Sequence, residues 1–143
     1  MKESNVNLNN KTILVTGAAG FIGSNLVLEL LRCLKSVRII GLDNLNDYYD
    51  VRLKEYRLQE LDKEAKIHRD SSWHFIKGNL ADKMLIENIF ATYKPQLVVN
   101  LAAQAGVRYS ITNPDAYIEA NIIGFYNILE ACRHSYDNGQ EGV

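Results

Sequence analysis

The chain has 143 residues, 47% of them hydrophobic and 23% charged, with a formal net charge of −1. That length supports one compact core rather than two comfortable domains, and the near-neutral balance excludes a whole-chain attraction to nucleic acid or to an anionic membrane surface. No stretch is long and apolar enough to span a bilayer, and MKESNVNLNN at the start lacks the apolar segment of an export signal, so a cytoplasmic protein is expected.

The first predicted strand is Thr12 to Thr16, an apolar run of the kind buried on both faces of a parallel sheet. TGAAGFIGSNL follows, with Gly17, Gly20 and Gly23 between that strand and a long segment of helical period. Strand, glycine turn and helix is the order in which an α/β fold presents a phosphate site. Gly17 suits a tight turn, Gly20 a close backbone approach to a pyrophosphate, and Gly23 close packing of helix on strand. The first-turn N–H groups and the positive end of the helix dipole then face the anion. Ile22, Leu26, Leu30 and Cys33 mark the expected buried face of this helix. Cys33 and Cys132 both lie on apolar faces of predicted helices without zinc spacing, so buried thiols of a reducing compartment, and no metal site, are expected.

Val37 to Leu42 is the second strand, closing in Asp43, twenty residues after Gly23. A carboxylate there can accept hydrogen bonds from ribose hydroxyls and repel a 2′-phosphate; the blander reading is that it starts the turn in DNLND. No Arg or Lys stands beside Asp43 or within the glycine turn, which favours NAD over NADP. Residues 44–72 read as a loop and an inserted charged helix, VRLKEYRLQELDKEAK, with Leu58, Leu61 and Ala65 on one side and its charges on a solvated face. Trp73 to Lys77 is the third strand. Asn79, just beyond it, either bonds an adenine edge or caps a turn. Asp82 is expected to cap a helix that Pro95 ends, and Gln96 to Leu101 is the fourth strand. The small residues Ala102 to Gly106 then leave room for a flat ring or ribose, or allow close helix packing. Asn113 and Pro114 open the last helix, with Tyr117, Asn121, Gly124 and Ile128 on one face. Asn121, a lone amide there, is either a satisfied structural group or a site residue. Alternating strands and helices fit a Rossmann-type doubly wound parallel α/β sheet of order 3-2-1-4, ending before a fifth strand.

TGAAGFIGSNL, the Asp closing the second strand and LAAQAGVRYS after the fourth resemble the extended short-chain dehydrogenase/reductase superfamily. GLDNLNDYYDVRLKEYRL and NPDAYIEANIIGFYNILEACR are similar to its nucleotide-sugar epimerases and dehydratases, above all to UDP-glucuronate 4-epimerases. The resemblance implies that residues 1–143 form an NAD-binding Rossmann domain without its substrate-binding lobe. It implies that the turn carrying Gly17, Gly20, Phe21, Ile22 and Gly23 holds the pyrophosphate, and that Asp43 and Asn44 hold the adenosine ribose. It also puts Asn46 and Tyr48 near the cofactor, Asn79 and Leu80 at the adenine, Leu101, Ala102, Ala103 and Gln104 along the nicotinamide ribose, and Asn121 as a structural residue beside them. Many relatives have aspartate where this chain has Asn79. The implied reaction is oxidation at C4 of a UDP-sugar, rotation of the 4-keto sugar and reduction from its other face, in an enzyme that is a homodimer at full length. The family's tyrosine with lysine four residues on is missing: none of the eight tyrosines has that partner, so no catalytic residue is expected here and the 143 residues should be inactive. Arg108 either meets a sugar carboxylate or is an ordinary surface residue. A dehydratase or decarboxylase, and a non-catalytic NAD-binding module, are the alternatives.

Overall fold

The computed structural model describes residues 6–139. Strands β1 (Thr12–Thr16), β2 (Arg38–Asp43), β3 (Ser72–Lys77) and β4 (Leu97–Asn100) form one parallel sheet in the expected order β3-β2-β1-β4. β1 lies in the middle, with Leu14 opposite Ile40 of β2 and Val98 of β4. Because strand side chains alternate, β1 supplies two cores. Ile13 and Val15 pack with Val27 and Leu31 of α1 (Phe21–Cys33) and Leu61 of α2 (Val51–Ile67). Leu14 packs on the opposite face with Ile86, Ile89 and Phe90 of α3 (Lys83–Tyr93) and Ile128 and Ala131 of α6 (Phe125–Asp137). Each of the Val, Leu, Ile and Phe side chains among these stabilises by about 2 kcal/mol on burial, which outweighs what a partly exposed ion pair such as Arg32–Glu64 adds between α1 and α2.

Asp82 caps α3 as expected, its carboxylate accepting the Leu85 N–H at 3.0 Å, and Pro95 follows the end of that helix. The buried face of α1 differs from expectation. Gly23, Ser24, Val27 and Leu31 point inward, whereas Ile22 is 67% exposed and Cys33 is exposed. Two apolar stripes compete in this leucine-rich helix, and Gly23 decides between them. A Cβ there would lie 2.2 Å from the Gly17 carbonyl oxygen, so only the bare Gly23 face fits against the turn. Of the two thiols expected to be buried, only Cys132 is half-buried, and burial pushes its pKa up.

The segment after β4 is more elaborate than one helix. A short α4 (Val107–Thr112), which was not expected, precedes α5 (Pro114–Tyr117), a π-helical stretch Ile118–Gly124, and α6. Asn113 precedes Pro114 as expected, but its amide donates to the Tyr109 hydroxyl at 2.8 Å instead of capping the helix. The wider π turns divide the predicted stripe. Gly124 and Ile128 are buried, while Asn121 bonds to the loop after β4.

Candidate functional site

A cavity of about 810 Å³ opens along the carboxyl ends of all four strands, where a doubly wound sheet leaves its crevice. It is lined by Gly17, Gly20, Phe21, Ile22 and Gly23 of the turn, by Asp43, Asn44, Asn46 and Tyr48 after β2, by Asn79 and Leu80 after β3, and by Leu101, Ala102, Ala103 and Gln104 after β4. Gly17 has φ +68°, and a Cβ on it would come within 2.8 Å of the Ala102 nitrogen, so it is held both by its backbone angle and by the closeness of the β4 exit. Gly20 stands at the N-cap of α1 and offers no side chain to it. The first-turn N–H groups of α1 therefore have no side-chain cap, and such groups can receive an anion. Thr16, buried beneath, donates to Asn100 at 2.6 Å and accepts from the Leu101 and Ala102 N–H groups at 3.1 Å, which fixes the β4 exit against the turn.

Asp43 is 8% exposed. One carboxylate oxygen accepts the Ala19 N–H at 3.1 Å and the other the Leu45 N–H at 2.9 Å, so it ties the glycine turn to the loop after β2. The bland turn role is thus present, and the carboxylate's remaining lone pairs are still available to hydroxyl donors. The expectation that no basic residue stands near Asp43, and that the charges of α2 are all solvated, is corrected. Lys54 is buried, 4% exposed; it donates to Asn46 Oδ1 at 2.7 Å and lies 3.7 Å from Asp43 Oδ1. Arg57 donates to the Ala19 carbonyl at 3.3 Å and lines the same cavity. Both were missed because they are far along the chain from the turn. A signal did exist, since Lys54 extends the Leu58–Leu61–Ala65 stripe by one turn toward the cavity. From Lys54 the contacts run across the mouth. Asn46 donates to the Gln104 side chain at 3.2 Å, and Asn121 clamps the Gln104 backbone, accepting its N–H at 2.8 Å and donating to its carbonyl at 3.0 Å. Asn121 is therefore the satisfied structural amide, outside the cavity lining.

A buried carboxylate beside open helix N–H groups, in a crevice of this size, fits a dinucleotide. Comparison with known proteins agrees. The family model described as GDP-mannose 4,6 dehydratase matches residues 14–141. The chain belongs to this family. It is 49% identical over 122 residues to Protein CapI of Staphylococcus aureus, covering 85% of this chain and 34% of that protein. It is 42% identical over 125 residues to UDP-glucuronate 4-epimerase 2 of Arabidopsis thaliana, covering 87% and 27%. Among solved structures it is similar to the UDP-glucuronic acid 4-epimerase of Bacillus cereus in complex with UDP-glucuronic acid and NAD, with TM-score 0.73 and 31% identity, covering 86% of this chain and 36% of that one. The chain thus spans about a third or less of the length of these relatives.

In this GDP-mannose 4,6-dehydratase family member part of the crevice wall is aromatic, with Tyr48, Tyr49 and Tyr109 in the lining. The Tyr48 and Tyr109 rings are 5.3 Å apart, and Tyr109 and Tyr117 are 6.2 Å apart. The Tyr117 hydroxyl donates to the carbonyls of Ala105 and Gly106, and desolvation in this cluster pushes its pKa above the ordinary phenol value. Arg108 is exposed on α4 and does not line the cavity. At the other end, Asn79 accepts the Ala81 N–H at 3.0 Å, which is the turn-capping role, and donates to Glu119 at 2.7 Å. Both Asn79 and Glu119 line the cavity. No group of three or more metal-ligating side chains occurs among the described residues.

Proposed function

We propose that this chain is the NAD-binding portion of a UDP-sugar 4-epimerase, with UDP-glucuronate as the sugar. The observation that carries the reading is the meeting of the Asp43 carboxylate with the Gly17–Gly23 turn at one rim of the sheet. When bound, NAD supplies a hydride acceptor and donor for C4 of the sugar. This chain's own residues do the holding. The N–H groups at the start of α1 receive the pyrophosphate, and Asp43 accepts from the adenosine ribose hydroxyls. Leu101 to Gln104, fixed by Thr16 and Asn121, wall the nicotinamide side. Lys54 balances part of the Asp43 charge, so exclusion of a 2′-phosphate is moderate, about tenfold in affinity. The choice of UDP-glucuronate is supported by the similarity to the UDP-glucuronate 4-epimerases of Arabidopsis thaliana and Bacillus cereus.

No tyrosine among the 143 residues has a lysine four positions on, so nothing here can draw the proton from the sugar hydroxyl, and these residues alone are inactive. The complete enzyme acts as a homodimer. The family model's own description favours a second reading, in which the sugar loses water after oxidation. Product analysis on a full-length protein carrying this segment separates the two. Conversion of UDP-glucuronate to its C4 epimer with mass unchanged supports the epimerase. Loss of water or carbon dioxide, or turnover of UDP-glucose alone, overturns it.

A further inference from the structure

In the proposed binding mode the adenosine ribose lies at Asp43, at the end of β2, so the adenine reaches the end of β3, where Asn79 and Leu80 form the wall. The base's exocyclic amino group is a double donor and needs an acceptor. Asn79 is an uncharged acceptor, and each end of its amide already carries one hydrogen bond. Its oxygen takes the Ala81 N–H at 3.0 Å, and its nitrogen donates to Glu119 at 2.7 Å. Glu119 comes from a different part of the chain, the π-helical stretch. That stretch and α6 after it are fastened to the same wall, since Gly124 packs against the Leu80 side chain and Asn127 of α6 donates to the Leu80 carbonyl at 2.8 Å. Only Glu119 Oε1 is occupied by Asn79. Its second oxygen has no partner among the described residues, and its side chain is at the cavity lining.

We infer that Glu119 is the specificity-determining residue for adenine, its carboxylate accepting the 6-amino group while Asn79 holds it in place by donating to its other oxygen. This rests on the proposed NAD site. A charged acceptor here attracts a 6-amino base and repels a 6-oxo base, so the pair reads adenine against hypoxanthine. The charge that an aspartate at position 79 would bring is supplied from the facing helix.

The test is equilibrium titration of the 143-residue chain with NAD and with nicotinamide hypoxanthine dinucleotide, with thermal melts to establish folding of each variant. The unaltered chain should prefer NAD by about tenfold or more, the difference made by one hydrogen bond to a charged group. Glu119→Gln keeps the contact with Asn79 and can donate to a 6-oxo group, so the preference should fall to about one or reverse. Asn79→Asp combined with Glu119→Gln exchanges acid and amide across the pair and should restore a preference for NAD. A purely structural role for Glu119 would weaken both dinucleotides equally and leave the ratio unchanged. NAD binding with no preference over the hypoxanthine analogue, or a preference that Glu119→Gln leaves intact, overturns this inference alone. Failure of the unaltered, folded chain to bind NAD overturns the proposed site and this inference with it.

Discussion

Replacing Lys54 with Met tests whether the insertion helix is part of the site. Lys54 and Asp43 are 3.7 Å apart, with side chains 6% and 7% exposed. Two unit charges at about 4 Å attract by about 4 kcal/mol at an effective dielectric of 20. Removing one member of a buried pair costs about 3–5 kcal/mol, because the survivor keeps its desolvation penalty without its partner. The separation is longer than a direct hydrogen bond, which places the expectation at the lower end. Loss of the 2.7 Å bond to Asn46 adds about 1 kcal/mol. Lys54→Met should therefore destabilise the chain by about 4 kcal/mol, a fall in Tm of about 12 °C for a chain of this size. Urea unfolding followed by circular dichroism measures it. Lys54→Met should cost less in an Asp43→Asn background than in the parent, since no uncompensated charge then remains, although the amide itself can accept from only one of the Ala19 and Leu45 N–H groups. A Lys54→Met chain within about 0.5 kcal/mol of the parent would refute the account of α2 as a charge partner for Asp43.

Gly23→Ala should prevent NAD binding and destabilise the chain by about 3 kcal/mol, because the new methyl would meet the Gly17 carbonyl at 2.2 Å and force α1 away from the turn; calorimetry and a melt read the two effects separately. Acid titration addresses Glu64. Its hydrogen bond from Arg32, and then that from His68, lower its pKa from 4.5 to about 2. A depressed carboxylate contributes stability that is fully present above pH 4.5 and is lost as the pH falls toward 2. Glu64→Gln should remove that part of the acid dependence, and urea unfolding at stepped pH should show a flatter profile between pH 4.5 and 2.

The sheet and its order were legible because β1 is apolar on both faces and the helical stripes of α2 and α3 are unambiguous. The glycine turn and Asp43 were legible because that chemistry restricts residue type at each point. The rotation of α1 was not, since two leucine-rich stripes differ by one residue and only the three-dimensional closeness of Gly23 to Gly17 chooses between them. Lys54 was hidden for a related reason. A lysine on a charged helix reads as solvated unless its partner, eleven residues earlier, is known to be buried beside it. The π turns at Ile118–Gly124 also leave no local mark, because their apolar residues suit an α-helix equally well, and it is within this stretch that Asn121 meets Gln104 and Glu119 meets Asn79.

Calorimetric titration of the 143-residue chain with NAD, and separately with NADP, tests most directly whether the turn and Asp43 form one dinucleotide site. Saturable binding of NAD at one site per chain, about tenfold tighter than NADP, is the predicted result. Binding of neither cofactor by the folded chain, or tighter binding of NADP, would contradict it.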